Sequence, residues 1–157
     1  MGSESDTSER TIAIVQRGLR NMHTKMRDLI KGLDRDALSW KPHPEANSIA
    51  VLVTHTLRSE RELIGAVRGM IVGRDRPSEF VSEADQDELL AMVDEADAWL
   101  AEQTDGMTGA DLLADRPRAN DKPQLGLVWL LIAYGHGREH LAHLELTRQL
   151  LDGRTNP

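Results

Sequence analysis

The sequence predicts an all-α protein built as a four-helix bundle. Three observations carry this. The 157 residues suit one domain with a single core. Four stretches of roughly 20–30 residues space apolar positions three and four apart, the helical period. No stretch alternates with period two, and none is rich in β-branched and aromatic residues, so strands are not expected. No internal repeat or low-complexity block interrupts this pattern.

Taken in order, residues 1–7 read as a disordered tail and residues 8–153 as the single bundle domain. Ser8 can cap a first helix over about 9–33, with Ile12, Val15, Leu19, Met22, Met26, Leu29 and Leu33 on its apolar face. Pro42 and Pro44 make "DRDALSWKPHPEA" a loop. Asn47 or Ser48 caps a second helix over about 48–73, closed by Gly73. "RDRPSEFVS" leads to a third, over about 83–103, with Leu89, Leu90, Val93, Ala96 and Leu100 inward. Residues 104–122 form a longer connection with a helical turn expected at 108–115. That length lets the third and fourth helices avoid being antiparallel neighbours. The last helix starts near Pro123, a residue suited to a first turn, and runs to about Asp152.

Composition narrows the function classes. The net charge of −7 and the pI near 5.3 argue against a nucleic-acid-binding surface. The absence of cysteine excludes disulfides, thiolate zinc sites and a cysteine nucleophile, and is compatible with a reducing compartment. "MGSESDTSER" has neither the basic nor the apolar region of a signal peptide, so the expected location is the cytoplasm. The longest apolar run, "LGLVWLLIAYG", is too short to span a bilayer, so no membrane partner is expected.

The chemistry concentrates in "AYGHGREHLAHLELTRQLL", where His136, His140 and His143 fall within eight residues. With His136 at zero on a helical wheel, His140 lies at about +40° and His143 at about −20°. The same line meets Trp129, Ile132 and Ala133 before it and Thr147 and Leu150 after it, so the stripe is expected to continue the inward face. Three inward imidazoles need partners. A polar core network supplies them in one reading, and a chelated metal in the other. His55, about two turns into the second helix, is the candidate third ligand. His23 sits near the apolar face of the first helix without a partner visible in sequence and reads as structural or peripheral. His43 lies in the Pro-rich loop and reads as exposed. "HGREH" also matches the H-x-x-E-H zinc motif of one protease class, with Glu139 as base. Only 17 residues follow His140, and Glu145 and Asp152 are their only acids, which argues against that class.

"LSWKPHPEANSIAVLVTH" followed by "HGREHLAHL" resembles the DinB/YfiT superfamily of metalloenzymes. The resemblance covers essentially the whole chain: a Trp-x-Pro stretch, an Asn-Ser-Ile helix start, a histidine two turns later and an H-x-x-x-H pair on the last helix. It implies a divalent metal, zinc or nickel, on His55, His136 and His140, with His143 outside the ligand set. It also implies frequent homodimers, and members that use a low-molecular-weight thiol, such as mycothiol- or bacillithiol-dependent transferases and maleylpyruvate isomerase.

The expected activity is thiol-dependent S-transfer or isomerisation of a small electrophile. Hydrolysis is the alternative, and a metal-binding or sensing module without turnover is a third reading. Glu62 and Glu139 are the candidate bases, although structural roles suit both. Trp40 and Asn47 are candidates to line the site, with a hydrophobic plug and a helix cap as their plainer roles.

Overall fold

A computed structural model describes residues 2–119 and 121–155. Four long helices, α1 (Gly2–Ile30), α3 (Ile49–Val67), α5 (Gln86–Thr104) and α7 (Gly126–Thr155), form the predicted four-helix bundle. The connections hold three short helices, α2 (Arg35–Ser39), α4 (Arg76–Glu79) and α6 (Gly109–Leu113). They also hold a two-residue antiparallel ladder between β1 (Asp115–Arg116) and β2 (Gln124–Leu125). Both α1 and α3 pack against α5 and α7. Thus α1 and α3 occupy opposite corners, and so do α5 and α7. The connection from α5 to α7 runs between opposite corners, as its length allowed.

Helix boundaries differ from the sequence reading for identifiable reasons. The first helix begins at Gly2, so residues 2–7 are helical where a tail was expected. No proline interrupts this stretch. Arg10 Nε pairs with Asp6 one turn back at 2.9 Å, and the Thr11 hydroxyl donates to the Thr7 carbonyl at 2.8 Å. The second long helix stops at Val67, not near Gly73. Gly69 takes the left-handed conformation with φ +74°, its N–H donates to Ala66 O, and the Met70 N–H donates to Gly65 O. This pair of bonds is a Schellman stop, and a glycine accommodates it without strain. The loop after the first helix contains α2, capped by Asp34, whose carboxylate accepts from Ala37 N at 2.9 Å. The last helix starts at Gly126, three residues after Pro123, because residues 124–125 pair with β1 first.

The core is a single cluster that includes Leu19, Met22, Met26, Leu63, Leu100 and Leu141. Each such side chain contributes roughly 1.5–3 kcal/mol by leaving water. α3 is the central helix: only Arg58 and Arg61 of its 19 residues are exposed. Every other polar side chain on α3 is therefore buried and needs a partner. The Ser48 hydroxyl caps it by accepting from Val51 N at 3.2 Å. Thr56 donates to Leu52 O, and Thr54 bonds Ser82. His55, Glu60 and Glu62 reach outward to other elements: Glu60 ties α3 to His23 of α1, and the links of His55 and Glu62 build the site.

Candidate metal centre

α3 and α7 pack along each other, and this contact brings His55 to His136 and His140. One nitrogen from each of the three rings lies within 4.8 Å of the others. The His136 and His140 Nε2 atoms are 3.1 Å apart. Ring centroids are 5.1 Å apart for His55–His136, 4.9 Å for His55–His140 and 4.4 Å for His136–His140. His55 is buried, and the other two are half-buried.

The histidine stripe does not continue the centre of the inward face. Trp129, Ala133 and Thr147 are buried as expected, but Ile132 and Leu150 are 40% and 47% exposed. The buried face of α7 centres instead on Ala133, Gly137, Leu144 and Leu151. On the wheel these lie at about +60° to +100° from His136. The wheel alone could not separate the two because apolar residues cover most of this helix. The consequence matters chemically: the cluster sits at the edge of the α3–α7 seam, reachable from solvent.

The three imidazoles are held neutral. Burial pushes His136 down to about 4, helped by the charges of His140, His55, Arg74 and Arg118. Burial also lowers His140, followed by the charges of His55 and His143. In His55 burial and nearby Arg74 outweigh the opposing hydrogen bond to Glu79. Neutral imidazole is the form that ligates a metal.

His55 Nδ1 lies 3.0 Å from Glu79 Oε2 and 3.1 Å from Arg74 Nη2. Arg74 grips both oxygens of Glu79, Nε to Oε1 at 2.6 Å and Nη2 to Oε2 at 2.7 Å, and its Nη1 donates to Glu62 at 3.0 Å. Arg118 Nε approaches Glu62 from the loop before α7 at 3.2 Å. The Phe80 ring stands 4.9 Å from His55. Sequence reasoning missed Glu79, Arg74 and Phe80. The available signal was small: the chain's only phenylalanine beside an acid in an otherwise polar connector.

The donor set fits a divalent ion. Metal–nitrogen bonds of about 2.0–2.1 Å in a tetrahedron place ligand nitrogens about 3.3 Å apart. The observed 3.1 Å between His136 and His140 is close to that. Without an ion, the 3.1 Å contact between His136 and His140 needs one Nε2 protonated and the other bare, whereas an ion takes the lone pairs of both.

The remaining candidates lie elsewhere or have other roles. His143 is exposed, its ring 5.5 Å from that of His140. With Pro42, Asn47, Leu52, Leu146 and Leu150 it lines a cavity of about 290 Å³, whose walls include none of the three clustered histidines. Asn47 lines that neighbouring cavity, while Trp40 packs against the core and beneath Arg154. Glu62 is occupied by Arg74 and Arg118. Glu139 is exposed. Glu145 pairs with Lys25 and Asp152 with Arg148, which leaves the protease motif without its further carboxylate. His43 is exposed, as expected. His23 is structural: fully buried, it bridges Glu60 of α3 at 2.9 Å and Asp97 of α5 at 2.6 Å.

Fold and site together define a four-helix bundle carrying a three-histidine cluster able to hold a metal. The sequence profile of the DinB superfamily matches residues 19–144, which include all three histidines, and the chain belongs to that superfamily. Its fold is similar to that of a conserved protein from Enterococcus faecalis, with a TM-score of 0.73 at 18% identity over 90% of this chain and 96% of that one. It is also similar to a DinB-like protein of Bacillus subtilis, with a TM-score of 0.67 at 19% identity over 88% and 90%. A DinB-like protein of Bacillus cereus gives 0.66 at 11% identity over 82% and 84%. No curated protein matches the chain. Among the described residues, no helix is long and apolar enough to cross a membrane.

Proposed function

We propose that the protein is a divalent-metal-dependent enzyme, using zinc or nickel, that catalyses attack of a low-molecular-weight thiol on a small electrophile, as an S-transferase or isomerase. The observation that carries this reading is the convergence of three neutral imidazoles, His55, His136 and His140, at a solvent-reachable seam. Three protein ligands leave a coordination position open, the pattern of catalytic rather than structural sites. When bound, the ion supplies Lewis acidity that brings the pKa of a thiol or a water toward neutrality.

The chain's own residues do the rest. Arg74 and Arg118 lie close enough to add to the depression of His136, while Glu79 and Glu62 hold them in place. The cavity bordered by Leu52, Leu146 and Leu150 offers the body of a small electrophile an apolar wall, with Asn47 and His143 as polar contacts. Glu62 is spent in ion pairs and is a poor base. Exposed Glu139, next to His140 in sequence, is the one observation that favours the hydrolase alternative, because it is free to accept a proton from water. The reading also takes the protein to be a cytoplasmic homodimer, with no nucleic-acid or membrane partner.

The test is conjugation of a generic electrophile with a panel of small thiols, comparing metal-loaded protein, chelated protein and His136→Ala. The reading expects turnover that needs both thiol and metal and is lost in the variant. Thiol-independent hydrolysis lost in the variant points to the hydrolase. No metal-dependent turnover with any pair points to a binding or sensing module.

A further inference from the structure

We propose that Glu79, clamped by Arg74, is the positioning residue of this site: it accepts the His55 Nδ1 proton and so turns the Nε2 lone pair toward His136 and His140. The inference rests on the reading that the triad holds a metal.

Glu79 is 0% exposed, while Phe80 and Val81 beside it are 39% and 74% exposed. Folding alone favours the opposite arrangement, with the acid in water and the apolar pair inside. A short helix that buries its acid and exposes its apolar neighbours has traded stability for something else, and such conflicts cluster at functional sites.

The geometry says what is gained. Glu79 Oε2 faces His55 Nδ1 at 3.0 Å, and the carboxylate is fixed side-on by two Arg74 nitrogens. Arg74 is itself anchored to Glu62, two turns beyond His55 on the same helix. The clamp therefore moves with α3 and holds the His55 ring at a set angle. Two groups compete for Nδ1. Arg74 Nη2, 3.1 Å away, can only donate and suits a bare Nδ1. Glu79 can only accept and suits a protonated one. A charge-assisted bond to carboxylate is the stronger of the two. It also keeps the ring proton out of the cluster, whereas the other tautomer points an N–H at His136 and His140. A ligating histidine whose second nitrogen donates to a carboxylate is oriented and made more basic by it.

The experiment uses the full chain, stripped of metal and titrated with zinc and with cobalt against a chromophoric chelator. Wild type, Glu79→Ala, Glu79→Gln and Arg74→Met are compared, with helicity checked by circular dichroism. Nitrogen-edited NMR of histidine-labelled, metal-free wild type reads the His55 tautomer directly. We expect Glu79→Ala to stay helical, lose about 10–100-fold in metal affinity and show an altered cobalt spectrum. Glu79→Gln, which keeps an acceptor oxygen, should recover part of the loss. His55 should carry its proton on Nδ1 in wild type and mix tautomers in Glu79→Ala. Wild-type affinity in a folded Glu79→Ala, or an Nε2–H tautomer in wild type, overturns the proposal. Should Glu79→Ala not fold, the wild-type tautomer and Glu79→Gln decide it. A wild type that binds neither ion sinks the metal reading itself, and the tautomer then judges the Glu79–His55 link separately.

Discussion

The His23 bridge should set how stability depends on pH. His23 on α1 is fully buried between Glu60 of α3 and Asp97 of α5, and Arg27 of α1 also holds Asp97 and Asp94. Burial alone lowers the His23 pKa, but hydrogen bonds and charge from Glu60 and then Asp97 outweigh it, and the net shift is upward. A raised folded pKa means the contribution is complete below the unfolded value of 6.5 and is lost as pH rises through the folded one. Within that window each pH unit removes up to about 1.4 kcal/mol. Asp97 behaves oppositely. Burial raises it, bonds from His23 and Arg27 outweigh that, and its net lowered pKa gives stability that fades only as pH falls through its folded value. Replacing His23 with Gln removes the cation and leaves Glu60 buried at 5% side-chain exposure. Breaking a buried pair this way costs about 3–5 kcal/mol. At about 2–4 °C per kcal/mol for a chain of this size, Tm should fall by about 6–20 °C. His23→Leu combined with Glu60→Leu should regain much of the loss, because no charge is then stranded. The assay is thermal and urea unfolding followed by circular dichroism from about pH 6 to about pH 9, spanning the imidazole range. Wild type should lose stability relative to His23→Gln as pH rises. A drop below about 1 kcal/mol, with wild-type and variant pH curves parallel, would refute the reasoning.

His143→Gln should keep the metal, since His143 is exposed and outside the converging nitrogens; loss matching that of His136→Ala, read by metal analysis, would put it in the ligand set. The metal-free protein should stay helical and melt cooperatively, because the core cluster does not need the ion. Zinc at a hundredfold excess over its Kd should add about 2.7 kcal/mol, or about 5–11 °C in Tm. A Cβ at Gly126 would collide with the Asp111 carbonyl oxygen, so Gly126→Ala should cost about 1–3 kcal/mol in urea unfolding; an unchanged midpoint would show that the start of α7 yields easily.

The fold was legible because helical periodicity survives in all four long stretches, and the caps could be read from residues such as Ser48. The stopping points were harder. Gly69 and Gly73 offer the same signal, and only the hydrogen bonds of Met70 and Gly69 show which of them ends α3. The three converging histidines could be named from spacing and resemblance. Their depth could not, because α7 carries apolar residues on nearly every side and its buried face has no sharp edge in sequence. The partners of His23 and His55 were invisible for a different reason. Glu60, Asp97 and Glu79 look like ordinary surface acids until packing places them opposite an imidazole.

The central claim is that His55, His136 and His140 bind one metal together. Zinc titration of chelated protein by calorimetry, on wild type, His55→Ala and His140→Ala, tests it most directly. The account predicts about one ion per chain in wild type, as a three-ligand site holds a single ion, and loss of that binding in both variants while helicity persists. Wild-type stoichiometry and affinity in both variants would contradict it.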